Sequence, residues 1–349
     1  MEILGTILIA ILVFGFLIFI HEFGHYFFAR VFKVTINEFS IGMGPKVIEY
    51  TSKKTGINYA LSAIPFGGYV AMAGEDGESD DPNSFDKKPA WQRFIITVAG
   101  ATVNIIAGFI AMIIFTSLVD FGGTTVAEFV PREESGYDIT TADQGLRLGD
   151  TILEIDGARV AIADELSYEI MRRGTEPVNI KILRDGEEIT LYDVVFPTAE
   201  STGQTFGMMD FRVYADAKTF PNVMKYAFAK GVLIVRMCWE SIYDLIVGRY
   251  TFEAISGPVG ISGAIGDAAR AGIENLLYVV ALISINLGVM NLLPIPALDG
   301  ARMITILIEM ITRKRIPAKI EAAINAVGLA LLLTLSVVIM IKDVIQIIL

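Results

Sequence analysis

Two histidines and a glutamate give the first chemical signal in the sequence. They stand in the run His21-Glu22-Phe23-Gly24-His25, and these are the only two histidines among the 349 residues. Residues four apart share one face of a helix, so both imidazoles can bind the same metal ion. Glu22 is offset by one position and can reach a water molecule beside that metal. The spacing predicts a zinc site with a general base next to it, which is chemistry suited to hydrolysis.

A catalytic zinc ion usually has three protein ligands and one water molecule. No third histidine remains, so a carboxylate elsewhere in the chain must complete the set. Asp299 is the best candidate, because it ends an apolar run in which two prolines and a glycine, within residues 294–300, prevent a continuous helix. Glu309 and Asp343 are the rivals, but neither has a broken helix around it.

Four uncharged stretches are long enough to cross a bilayer. The first lacks both a basic start and a small-residue cleavage site, so we expect a retained helix and not a signal peptide. The pattern predicts a polytopic α-helical membrane protein with four transmembrane helices. The stretches are Ile3–Ile20, Phe94–Val119, Asn275–Leu298 and Ala322–Ile341.

The basic residues between the last two stretches predict the topology. Arg313, Lys314, Arg315 and Lys319 crowd this short link, and such clusters favour the cytoplasmic side. The first loop is then cytoplasmic as well, while residues 120–274, both termini and the single cysteine lie outside. His21 and Asp299 both fall near cytoplasmic ends of their spans, so we expect the metal site near the cytoplasmic face. The net charge of -11 argues against nucleic acid as a partner.

The long middle segment has the pattern of a folded α+β domain. Thr151–Ile155 is predicted as a strand and Ala163–Arg173 as a helix. Alternating apolar residues on both sides of Asp185-Gly186 predict a β-hairpin. A further helical pattern from about residue 225 to 248 indicates a helix that packs on the domain or the spans, or that lies in the membrane interface.

Together these motifs resemble the site-2 protease family of intramembrane zinc metalloproteases, and most of all its bacterial RseP-type members. The resemblance covers nearly the whole chain. The matching elements are the HExxH motif at His21–His25, the NxxPxxxLDG signature at 291–300, the GxxxN element at Gly100 and Asn104, the re-entrant β-loop at 64–70, the segment 256–260, and one PDZ-like pattern at 145–157.

The resemblance implies hydrolysis of peptide bonds within transmembrane segments of single-pass membrane proteins, in the bacterial plasma (inner) membrane. Anti-sigma factors and signal-peptide remnants are substrates of this type, the lipid bilayer is the other partner, and the oligomeric state stays open.

We expect the chain to divide into six segments. These are 1–30 for the first transmembrane helix, 31–90 for the cytoplasmic loop with the re-entrant β-loop, 91–120 for the second helix, 121–200 for the extracytoplasmic PDZ-like domain, 201–274 for a linker and amphipathic helix, and 275–349 for the last two helices.

The expected site combines residues derived from spacing with residues implied by the family. Glu22 is the expected general base, and His21, His25 and Asp299 are the expected ligands of Zn²⁺. A substrate helix must unwind before cleavage, and strand addition onto the β-loop would satisfy its freed backbone groups. The expected substrate-binding residues are Asn291, Asn104, Gly67 and Gly68.

Two other functions use some of the same residues. A metal transporter or sensor in the membrane could also bind metal through two histidines and an aspartate, but it would need neither Glu22 nor an outer domain. A catalytically inactive PDZ scaffold is the second alternative, and the intact Glu22 argues against it. The stretch Arg132–Asp143 lacks the Ser-Pro-Ala start common in the family's PDZ domains, so we expect the domain to exclude bulky substrates more than to bind a C-terminus.

Overall fold

A computed structural model describes residues 2–75, 77–131, 140–201, 204–249 and 256–348. The chain forms two compact units, one made of Met1–Ala111 with Ile234–Leu349 and the other of Met112–Leu233. In chain order the helices are α1 (Glu2–Val31), α2 (Ala90–Leu118), α3 (Ala163–Arg173), α4 (Phe220–Ile246), α5 (Pro258–Ala271), α6 (Ile273–Asn291), α7 (Asp299–Thr312) and α8 (Ala318–Ile348). The strands are β1 (Ile36–Thr51), β2 (Asn58–Met72), β3 (Gly122–Phe129), β4 (Thr151–Ile155), β5 (Ala158–Arg159), β6 (Val178–Arg184), β7 (Glu187–Val194), β8 (Thr198–Ser201), β9 (Gln204–Gly207) and β10 (Phe211–Ala215).

Four helices among the described residues are long and apolar enough to cross a membrane. The spans are Leu4–Val31, Ala90–Leu118, Ile273–Asn291 and Lys319–Ile345. A helix satisfies its own backbone groups, which is what a chain needs in hydrocarbon. The protein is therefore a multi-pass membrane protein, as predicted. The third span ends at Asn291 and not at Leu298, because the prolines that follow cannot donate the hydrogen bonds of a continuing helix.

Two glycines let α1 and α2 approach closely beside the histidine motif. A Cβ atom on Gly24 would lie 2.6 Å from the carbonyl oxygen of Ala99 and 2.9 Å from Cα of Gly100. Small residues at such crossings allow backbones to come together in a membrane. The close approach places the HExxH motif directly against the neighbouring span.

The first loop folds into a bent antiparallel sheet made of β1 and β2. Residues 36–41 of β1 pair on one side with 68–72 of β2 and on the other with 58–61, while 46–51 pair with 58–62. The bends fall at glycines with positive φ, among them Gly42 and Gly67. Within the described part of the chain, residues 68–72 thus form an outer edge of this sheet. The sheet packs on the helices through buried side chains that include Phe39, Val70 and Ile96.

The second unit is a β-rich domain with one helix in its core. Its antiparallel sheet has the order β10-β3-β4-β6-β7, with β5 paired to β4. Leu166 and Ile170 of α3 are fully buried with the inward-facing residues of the strands. The predicted strand, helix and Asp185-Gly186 hairpin are all present. Strand β10 extends the sheet beyond residue 200, and residues 132–139, which include most of the stretch with the missing PDZ start, lie outside the described residues.

Candidate metal centre

Helix α1 brings the two histidines together, as their spacing predicts. The Nε2 atoms of His21 and His25 are 3.3 Å apart. Both side chains are buried, with relative exposures of 9% and 8%. Two buried imidazoles with their Nε2 atoms side by side could provide two ligands of a metal site.

Asp299, 274 residues after His25 along the chain, could provide the third ligand. It is the first residue of α7, which begins after the break that follows α6. Its Oδ2 atom lies 3.1 Å from Nε2 of His21 and 3.2 Å from Nε2 of His25. The break is tight, because a Cβ atom on Gly300 would come within 2.6 Å of backbone atoms of Leu292 and Leu293. A glycine after the aspartate is therefore required for the carboxylate to turn inward.

The three donor atoms fit a zinc ion in spacing and in chemistry. A tetrahedral ion with ligand bonds of about 2.0 Å has ligand atoms about 3.3 Å apart, and the distances among these three atoms are 3.1, 3.2 and 3.3 Å. Oδ2 of Asp299 is buried and has no hydrogen-bond partner, as expected of an atom that binds a metal. Among the described residues, this is the one group of three such donors.

Helix α2 contacts the outer nitrogen of each imidazole. Nδ1 of His25 lies 2.8 Å from the carbonyl oxygen of Ile96, to which it donates a hydrogen bond. This bond leaves Nε2 of His25 free to bind a metal. Nδ1 of His21 lies 3.3 Å from the side-chain amide of Asn104, which is fully buried. Ile96, Gly100 and Asn104 are spaced about one turn apart, so residues on a single face of α2 contact both histidines.

A cavity of about 700 Å³ opens beside the three donor atoms. Glu22 lines it, together with three of the four expected substrate-binding residues, Gly67, Gly68 and Asn291. Gly68 packs so closely on α1 that a Cβ atom there would lie 3.0 Å from Cγ of Glu22. The edge residues 68–72 of the sheet therefore run past the expected general base. Asn104, the fourth expected residue, contacts His21 and is not among the residues that line the cavity.

Two further charged residues lie at the cavity, outside the predicted site. Glu75 and Arg302 both line it and form an ion pair with each other. Arg302 stands three positions after Asp299, so helical periodicity alone would have placed it on the same face of α7. Glu75, which follows β2, has no comparable local signal, because its meeting with Arg302 depends on how the first loop folds.

A polar network supports the edge of the sheet at the cavity. The Tyr69 hydroxyl donates to Glu38 at 2.7 Å, and the Lys46 ammonium donates to the same carboxylate at 2.8 Å. Partial burial alone would raise the pKa of Glu38, but the hydrogen bonds from Lys46, Tyr69 and Asn58 lower it below the usual range. The carboxylate is thus ionised at neutral pH and holds Tyr69 in place.

The two rival carboxylates have other partners. Glu309 forms an ion pair with Arg93. Asp343 accepts hydrogen bonds from the backbone N–H groups of Gly257, at 2.8 Å, and Gly260, at 3.0 Å. It caps the first turn of α5, where a carboxylate is stabilised by the helix dipole. Neither residue belongs to the cluster of metal donors.

The membrane-spanning helices and the buried donor cluster define a class, the membrane-embedded zinc metalloproteases, in which a HExxH helix and a distant aspartate hold the metal. The comparison with known families agrees. The chain belongs to Peptidase family M50, whose family model matches residues 9–335. The resemblance to site-2 proteases is confirmed by this match.

Bacterial relatives align along nearly the full chain. A protein of Clostridium perfringens is 35% identical over 343 residues, covering 97% of this chain and 98% of its own length. One from Clostridium acetobutylicum is 34% identical, with 97% of both chains covered. One from Fusobacterium nucleatum is 32% identical, with 97% and 98% covered. All three are provisionally named zinc metalloproteases. With its family, these relatives identify the protein as a zinc metalloprotease.

Proposed function

We propose that the protein hydrolyses peptide bonds within transmembrane segments of single-pass membrane proteins. The observation that carries this proposal is the position of the donor cluster, which lies between membrane-spanning helices in a cavity shared with Glu22 and with the edge of a β-sheet. A site built for soluble substrates would not need to lie on apolar membrane-spanning helices. The position instead suits a substrate that enters from the bilayer.

The residues divide the chemistry among them. His21, His25 and Asp299 would hold zinc, which when bound polarises the scissile carbonyl and lowers the pKa of water toward about 7. The Glu22 carboxylate accepts the proton of the attacking water molecule and then transfers it to the leaving amide nitrogen. Such a base within the ligand motif favours a protease over a metal transporter or sensor, and over an inactive scaffold.

The edge of the sheet is suited to hold an unwound substrate. A helix that opens for cleavage bares N–H and C=O groups, and these are costly in hydrocarbon unless they find partners. Residues 68–72 are paired with β1 on one side, and their other edge can pair with an extended peptide by strand addition. Gly67 and Gly68 line the cavity, and the close packing of Gly68 on α1 brings this edge beside Glu22. Asn291, at the end of α6, lines the same cavity, and its side-chain amide can donate a hydrogen bond to the substrate backbone or accept one from it.

The outer domain is proposed to control which substrates reach the site. The basic link between the last two spans favours an extracytoplasmic position for residues 120–274 in a bacterial plasma membrane, and the bacterial relatives support that setting. A PDZ-like domain there would exclude proteins with bulky outer domains. Membrane proteins already shortened outside, such as trimmed anti-sigma factors or signal-peptide remnants, are the substrates that pass such a filter.

The decisive experiment separates zinc binding from cleavage. Glu22→Gln removes the base and leaves all three ligands, so we expect full zinc content and a loss of cleavage of roughly 100-fold or more. Zinc is measured by mass spectrometry of the purified protein, and cleavage with a transmembrane reporter in liposomes. Glu274→Gln, in the first turn of α6, is the matched control and should behave as wild type. Wild-type cleavage by zinc-loaded Glu22→Gln would contradict the proposed reaction.

A further inference from the structure

Asn104 contacts the ring nitrogen of His21 that faces away from the donor cluster. Its amide nitrogen is 3.3 Å from Nδ1 of His21, on the side of the ring opposite the donor cluster. The residue is fully buried, and its Oδ1 atom has no hydrogen-bond partner. A buried amide oxygen without a partner is costly, so it indicates a contact that the amide is built to make.

The protonation of His21 identifies that contact. If Nε2 of His21 binds zinc, the ring is neutral and its proton is on Nδ1, which becomes a hydrogen-bond donor. If the NH2 group of the Asn104 amide faced that nitrogen, two hydrogen-bond donors would face each other and neither could bond. Rotation of the amide by 180° exchanges its oxygen and nitrogen in nearly the same volume, and the oxygen then accepts the Nδ1 proton. This rotation pairs the amide oxygen with the Nδ1 proton and removes the contact between two donors.

The neighbouring histidine has a matching arrangement. His25 already donates its Nδ1 proton to the carbonyl oxygen of Ile96, two turns away from Asn104 on the same face of α2. A backbone carbonyl oxygen accepts the Nδ1 proton of His25, whereas a side chain, that of Asn104, has to accept the Nδ1 proton of His21. Ser284 of α6 donates to the carbonyl oxygen of Asn104 at 2.8 Å and ties α2 to a second span at this level.

We propose that Asn104 is a positioning residue of the metal centre, which orients His21 by accepting its Nδ1 proton. It acts through His21 and does not touch the substrate. This role rests on the proposed function, because it requires the His21 ring to bind zinc. It replaces the substrate contact implied by the family resemblance, for which the buried amide would first have to become exposed.

The test compares side chains of similar size that differ in acceptor ability. Asn104→Leu removes the acceptor, whereas Asn104→Asp keeps an oxygen at the same position whether or not it is ionised. We expect roughly 10- to 100-fold weaker zinc binding by Asn104→Leu, and recovery to within about threefold of wild type in Asn104→Asp. Ser284→Ala is the control for loosened helix packing, because it removes a hydrogen bond at the same level without changing any contact of His21. Its zinc affinity should stay at the wild-type value.

Zinc affinity is measured by chelator competition on the full-length protein in detergent, and the ligand geometry by the visible spectrum of the Co²⁺-substituted protein. The spectrum should change in Asn104→Leu and be restored in Asn104→Asp. Unchanged zinc affinity and an unchanged spectrum in Asn104→Leu would overturn the proposal, and a raised KM in that variant would then assign Asn104 to the substrate. Neither readout depends on cleavage, so a failure of the protease reaction can be told apart from a failure of the positioning role.

Discussion

Gly100 is the position at which a single methyl group should disable the metal centre. It lies on α2 between Ile96 and Asn104 and faces both histidines. A Cβ atom there would be 2.8 Å from Cε1 of His25 and 2.9 Å from Cε1 of His21, and closer still to Nε2 of His25. The Gly100→Ala substitution therefore tests whether the ligand atoms must stay where the structure places them.

The size of the effect follows from these distances. Ordinary van der Waals contact begins at 3.4 Å, so Cε1 of His25 would have to move by at least 0.6 Å, from 2.8 to 3.4 Å, and its Nε2 by more. A displacement on the order of 1 Å at a catalytic group can lower a rate about 100-fold. Alanine is a better helix former than glycine by about 1 kcal/mol, so the substitution does not oppose formation of α2. The loss should appear in zinc affinity and in cleavage, with the helix intact.

Gly15→Ala is the matched control for this experiment. Gly15 lies on α1, six residues before His21, and a Cβ atom there meets nothing within 4 Å. Both variants gain the same helix propensity, but only Gly100→Ala crowds the histidines. We would measure zinc by chelator competition, cleavage with the transmembrane reporter, and thermal unfolding of both variants. Cleavage by Gly100→Ala within about threefold of wild type, far from the 100-fold loss expected for a shift of this size, would refute the reasoning.

Three further predictions concern the ligand set, the topology and the outer domain. Asp299→Ala should lose both bound zinc and cleavage, because one of three ligands is removed; full zinc occupancy in this variant would rule out Asp299 as a ligand. After removal of Cys238, single cysteines introduced as Lys54→Cys and Arg315→Cys should resist an impermeant thiol reagent added to intact cells, whereas Glu187→Cys should react; external labelling at position 315 would invert the topology. Of two substrates identical in the membrane, the wild type should cut only the one with a small outer domain, and a variant in which the β-rich domain is disrupted should cut both. Equal wild-type rates on the two substrates would eliminate size exclusion.

Much of the membrane architecture could be predicted from local sequence. Uninterrupted apolar stretches identified the four spans, because a bilayer requires about 20 apolar residues in a self-satisfied helix. The prolines that follow Asn291 also indicated where the third helix breaks. The end of that span was placed seven residues too late, since apolar composition continues to Leu298 although the helix does not.

The HExxH motif could also be interpreted from local sequence alone. Positions four apart must share a helix face, so His21 and His25 could be paired without knowledge of the fold. Asp299 could be selected as the candidate for the third donor by elimination and by the broken helix around it. Its distance of 3.1 to 3.2 Å from both histidines, however, depends on the packing of α7 against α1.

The surroundings of the metal centre were decided by tertiary structure alone. Nothing in the periodicity of α2 says that Ile96 and Asn104 each contact a different histidine, or that the space at Gly100 is needed by both rings. The expectation for Asn104 came from a motif, which names a residue but not the atom it contacts, and its contact with Nδ1 of His21 depends on the packing of α2 against α1. Sequence spacing determines which side chains share a face of one element, whereas contacts between distant elements depend on how closely those elements pack.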